Sequence, residues 1–259
     1  EKNGIRVDYK AACPANLTVS DIDLCALIGN LAIAGMAIYG VASAARHSGW
    51  EILKYYTQLS NLFGALACLL VAGFEISSLR AGKEKTPRWA YGIQFSAVCC
   101  LMVTFLVVLF VLAPDAGKNG YRTLLTEGDM LYHHLLCPVL ALIVLVALEC
   151  PALPLRDAAL AVIPTLVYAI ITLILNLARR LDGPYPFLRV YRQPVSASAF
   201  WFVAILGGNY RARRSRDCEG VQIALHFKSG VRNENERRFF QIISCLPAIC
   251  GISRSPNWR

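Results

Sequence analysis

Apolar positions along the chain do not alternate with polar ones at the period of a surface helix or strand. They gather into runs. Five runs are long enough to cross a bilayer as helices, which takes about 20 residues. They cover residues 22–45, 55–76, 91–113, 130–148 and 158–178. A sixth run starts at Val195 with "VSASAFWFVAILGGNY" and is cut short by "RARRSR". The connections carry ordinary helix breakers, among them "RAGKEKTPRW", "PDAGKNGYR" and "CPALPLRD". This pattern predicts an all-α fold, a polytopic transmembrane helix bundle of five spans plus a short sixth. It divides the chain into a polar N-terminal segment (1–21), the bundle (22–208) and a basic, polar C-terminal tail (209–259).

Composition agrees with the pattern. Of the 259 residues 56% are hydrophobic and 17% are charged. A soluble domain has roughly 45–50% apolar and about 25% charged residues. The net charge of +9 then reads as a topology signal. With the N-terminus inside, the inner segments hold twelve basic residues and the outer loops eight. The bias predicts a plasma-membrane protein with both termini cytosolic. Basic runs beside a span face anionic lipid, so "RARRSR" does not point to a nucleic-acid partner. Ten cysteines are present. Cys25, Cys68, Cys99, Cys100 and Cys137 fall inside apolar runs, where a thiol acts as a small hydrophobe. No C-x-x-C pair occurs. The first twenty residues are polar and show no signal peptide.

One feature departs from an apolar bundle. "KYYTQLSNLF" opens the second run with Thr57, Gln58, Ser60 and Asn61, where a lipid-facing helix would carry leucine. Thr57 and Asn61 are four apart and share a helix face. Alternate helices start on the same side, so the second, fourth and sixth share a starting face. Thr57 lies about one turn into the second helix, and His134 lies about one turn into the fourth. Asn176 closes the fifth helix on that face, and the loop "LDGPYPFL", with Tyr185, leads into the sixth from it. A polar layer at one membrane face is therefore expected.

In "YHHLLCP", Pro138 stands four residues after His134 and removes a helix N–H, so a kink is expected there. His133 and His134 are neighbours, about 100° apart around the helix, and cannot share one target. Histidine inside a span faces protein or a cavity. Two readings stay open for the layer: hydrogen-bonding contact between helices, or a threonine nucleophile with a histidine base and a polarising amide. No metal-ligand spacing and no cofactor fingerprint is present. Asp23, Glu75 and Glu149 fall at helix ends, Asp23 and Glu75 on the face away from Thr57, which leaves paired-carboxylate chemistry unsupported.

"YYTQLSN", "HHLLCP" and "DGPYPFL" together resemble a bacterial family of six-helix membrane proteins over residues 22–206. That family is distantly similar to the eukaryotic androgen-induced and androgen-dependent TFPI-regulating proteins. Those relatives are membrane threonine hydrolases that cleave fatty acid esters of hydroxy fatty acids. The resemblance implies Thr57 as nucleophile and His134 as base; Asn61, Gln58, His133, Asn176 and Tyr185 are the candidate supporting residues. It implies a membrane lipid or lipid-like substrate and no cofactor. The alternative function is a non-catalytic membrane protein that binds or moves a small amphiphile. Oligomeric state is not encoded in any pattern found here.

Overall fold

A computed structural model describes residues 19–83, 85–149, 161–185, 188–194 and 196. Among the described residues the chain is helical, with no strand. Helix α1 covers Val19–Ser48 and runs through a 3₁₀ turn, Gly49–Lys54, toward α2 at Tyr56–Ala81. Helix α3 covers Arg88–Asp115, the short α4 Gly120–Thr126, α5 Tyr132–Glu149 and α6 Ile163–Leu177. Of the predicted N-terminal segment 1–21 only Val19 to Asp21 are described, of the sixth run only Ser196, and the C-terminal tail lies outside the described residues.

Four of these helices are long and apolar enough to cross a membrane: Asp21–Lys54, α2, α3 and α5. Of the fifth predicted run, 158–178, the residues from 161 on are described, and they hold a shorter helix. Helix α6 has 15 residues, and at about 1.5 Å per residue it covers about 22 Å of a hydrocarbon core about 30 Å thick. Pro164 sits in its first turn, where a missing N–H costs nothing. At its far end Arg179 adopts φ 55°, a left-handed conformation that ends the helix.

Side-chain size is sorted as a bilayer requires. Large apolar residues such as Leu66, Phe110, Ile143 and Ile174 point outward. The interior is built from smaller groups: Ala37, Ala65, Cys68, Val98, Cys137 and Ala141 pack around Ile33 and Leu101. Lipid is as apolar as leucine, so burying leucine between helices gains little, and small residues that allow close approach are favoured instead. Helix α2 packs along α1 and α3, and α5 packs against α1, α2 and α3.

The kink expected at Pro138 takes a definite form. Tyr132–Leu136 is a π-helical turn, with the Cys137 N–H donating to the Tyr132 carbonyl five residues back. In that register the next N–H would belong to Pro138 and would serve the His133 carbonyl. Proline has none. Asn61 of α2 supplies it: its Nδ2 donates to the His133 carbonyl at 3.3 Å and to the Thr57 carbonyl at 2.9 Å. A backbone break inside a membrane is tolerated when a neighbouring helix satisfies the freed group.

This substitution is testable as a double-mutant cycle. Asn61→Ala in the wild-type chain should cost about 1–2 kcal/mol, because a buried carbonyl is left unpaired. In a Pro138→Ala background the helix regains its own N–H, and the same change should cost clearly less. Reversible unfolding in mixed micelles measures both. Equal costs would refute the pairing.

Candidate functional site

The expected polar layer is present, and all seven of its predicted members are buried: Thr57, Gln58, Asn61, His133, His134, Asn176 and Tyr185. It is assembled from α2, α5, α6 and the loop after α6. The first N–H groups of a helix have no partner within it. The Thr57 N–H lies in the first turn of α2 and donates to the Tyr185 phenol oxygen at 3.2 Å. The Thr57 and Tyr185 hydroxyls are 3.3 Å apart. "DGPYPFL" thus caps α2 from across the bundle.

The loop itself is tied down. Asn176 Nδ2 donates to the Leu188 carbonyl at 3.2 Å, and the Leu188 N–H donates to the Tyr185 carbonyl at 2.9 Å. Gly183 passes so near Leu188 that a Cβ there would meet its carbonyl carbon at 2.5 Å, so only glycine fits. Helix α6 also holds the start of α2: the Tyr56 and Thr165 hydroxyls are 2.7 Å apart, and the Tyr168 hydroxyl donates to the Lys54 carbonyl at 2.8 Å. Burial is the largest influence on the Tyr185 phenol and pushes its pKa up. It therefore remains a neutral donor at physiological pH.

The two histidines diverge, as neighbours on one helix must. His133 Nδ1 is 3.3 Å from Gln58 Nε2. Its ring lies against Gly40 of α1, where any Cβ would collide with it. His134 Nδ1 donates to the Leu124 carbonyl of α4 at 2.6 Å. A carbonyl only accepts, so the His134 proton is on Nδ1 and its Nε2 carries the lone pair. The Thr57 hydroxyl is bonded to Tyr185, and neither histidine ring hydrogen-bonds to it. The layer brings Thr57, Tyr185 and Asn61 together, and it brings Gln58 to His133. His134 sits in the same layer, turned toward α4.

Among the described residues several polar atoms of the layer have no partner: Gln58 Oε1, Asn61 Oδ1 and His133 Nε2. The Asn61 orientation is unambiguous, because both groups its nitrogen contacts are carbonyls. Its free atom is therefore an acceptor.

A second polar cluster lies at the other end of the bundle, and it corrects the dismissal of paired carboxylates. Asn30 Nδ2 donates to Glu75 Oε2 at 3.2 Å and to Glu149 Oε1 at 2.7 Å. Gln94 Nε2 donates to Asn30 Oδ1 and to Glu149 Oε1, both at 2.9 Å. Four helices meet here, one residue from each. The rule that placed Thr57 and His134 on one face also places the ends of α2 and α5 together on the other. Applied to Glu75 and Glu149 it would have found the pair, which lies far from Thr57 but close to itself.

No family model, no curated protein and no solved structure matches the chain. Among the described residues the fold and the two clusters define a helical protein with four helices of membrane-spanning length and two buried polar layers.

The Tyr185 cap gives a simple test. Tyr185→Phe removes the acceptor of the Thr57 N–H and should destabilise the protein by about 1 kcal/mol. Thr57→Val keeps that N–H and should cost less. Thermal unfolding of the purified protein in detergent compares them, and the reverse order would remove the cap from the account.

Proposed function

We propose that the chain is a multi-pass membrane protein whose layer between α2 and α5 binds the donor-bearing polar end of a lipid-like molecule. One observation carries this reading: the unpaired Asn61 oxygen, on a side chain that is 0% exposed. Buried polar atoms are nearly always paired, and an exception calls for an explanation such as a ligand or an ion. Asn61 Oδ1 offers a lone pair, so its partner brings an N–H or O–H. A hydroxyl or ammonium headgroup does so, while a bare ester carbonyl only accepts.

Hydrolysis is the second reading, on the resemblance of "YYTQLSN", "HHLLCP" and "DGPYPFL" to the six-helix family. The state of His134 favours it. With Nδ1 fixed on a backbone carbonyl, Nε2 has the lone pair that a general base needs. Against it stands the partner of Thr57, a phenol and not an imidazole. In this reading Thr57 attacks an ester carbonyl and passes its proton to His134, which returns it to the departing alcohol; the acyl-enzyme left behind is cleaved by water to the free acid and Thr57.

A photoactivatable monoacylglycerol and the matching fatty acid methyl ester separate the readings. Binding predicts that the glycerol probe labels residues 56–63 several-fold more than the methyl ester, and that Gln58→Leu reduces this labelling. Equal labelling by both probes would contradict it. Hydrolysis predicts fluorophosphonate labelling at Thr57, with ester cleavage lost in Thr57→Ala and partly kept in Thr57→Ser.

The orientation belongs to the same proposal. The basic-residue bias supports a plasma-membrane protein with a cytosolic N-terminus and C-terminus, which puts the Thr57 layer at the outer face. A cysteine at Gly117 should then react with an impermeant reagent in intact cells. Reaction only after lysis would invert the topology.

A further inference from the structure

The cluster at the opposite end of the bundle has a chemistry of its own, independent of the Thr57 layer. Glu75 is 4% exposed, and the one Asn30 Nδ2 reaches it at 3.2 Å and Glu149 at 2.7 Å, which brings the two carboxyls together. A carboxylate only accepts hydrogen bonds, so two carboxyls can bond directly only when one of them carries a proton. Asn30 and Gln94 tie the two carboxyls into one cluster, each NH2 group making two contacts inside it.

Gln94 provides a second, separate sign. It is 1% exposed, and its Oε1 has no partner. Its Nε2 is held by Glu149 and Asn30, so the unpaired oxygen sits at the carboxyl pair. An unpaired acceptor beside two carboxyls is satisfied by an O–H. The other titratable groups bearing on the pair are Asp23 of α1 and Cys68 of α2, with Tyr91 of α3 nearby. Each carries negative or no charge. The basic residues on the same side are Arg80 in the last turn of α2, Lys83 and Lys85 in the connection, and Arg88 at the start of α3. A small cleft lined by Asp23, Glu75, Ser78, Thr86, Tyr91 and Glu149 leads to the pair.

We propose that Glu75 and Glu149 form a proton-binding site, one proton held between the two carboxyls and exchanged with water through the cleft that Asp23 and Ser78 line. Release leaves both carboxylates charged and delivers one proton to the water of that face. Rebinding reverses this. Ionisable residues inside a membrane bundle that pair with one another mark proton and ion pathways. This site spans α1, α2, α3 and α5, so its charge bears on all four helices at once.

Infrared spectroscopy of the whole protein in bilayers at neutral pH tests the site directly. The expected result is a carbonyl stretch of a protonated carboxylic acid, shifted when the glutamates are isotope-labelled. It should fade as the pH is raised and be absent from both Glu75→Gln and Glu149→Gln, where the amide replaces the shared proton. The absence of a labelled-glutamate acid band in folded wild type would overturn the proposal. So would a band that survives in either variant, because the proton would then not be shared. If the variants fail to fold, the label shift and the pH dependence in wild type decide alone.

Discussion

A backbone carbonyl inside a bilayer has no water to bond to, so any break in a helix must be met by the protein itself. Pro138 makes such a break. The π turn Tyr132–Leu136 moves the missing donor one residue along, to the His133 carbonyl, and Asn61 fills the gap. Much of the polar layer follows from that single contact. It fixes α5 against α2. It presents His133 to Gln58 and Gly40, and it turns His134 away toward α4. The Asn61 nitrogen is consumed by two carbonyls, which leaves its oxygen as a buried acceptor in the centre of the layer.

Helix α2 carries polar groups at both ends. Thr57, Gln58 and Asn61 lie near its start and Glu75 near its finish, with a small-residue apolar stretch between. Asn61 and Glu75 are fourteen residues apart, about 21 Å of helix. Each end is clamped differently. At the start, helix N-terminal amides and hydroxyls meet the Tyr185 cap. At the finish, two amides gather two carboxyls. Apolar packing adds little driving force for association in lipid, so these two polar layers are where the arrangement of the helices is specified.

The length of the apolar runs made four spans legible among the described residues, and of the fifth run the described part holds the 15-residue α6. Run length counts apolar residues, while α6 begins only where Pro164 permits and stops at the turn containing Arg179. Parity made the layer of Thr57, His134, Asn176 and Tyr185 legible as a layer. Rotation about each helix axis was not legible, because it depends on interhelical contacts. Thr57 therefore meets Tyr185, and His134 meets Leu124. The π register at Pro138 was equally hidden, since a missing N–H predicts a kink but not which carbonyl is left for a neighbour. Asn30 and Gln94 gave no signal in sequence. A single amide in an apolar run looks like packing until the carboxyls of two other helices arrive beside it.

The central claim is that Asn61 stands in for the amide that Pro138 lacks. Solid-state NMR of the protein in bilayers, with labelled asparagine and histidine, observes that contact without altering a residue. The account predicts a through-space cross-peak between the Asn61 side-chain nitrogen and the His133 carbonyl carbon, at a build-up rate matching the nitrogen–carbon separation that a 3.3 Å nitrogen–oxygen contact imposes. With both resonances assigned, the absence of that cross-peak would contradict it.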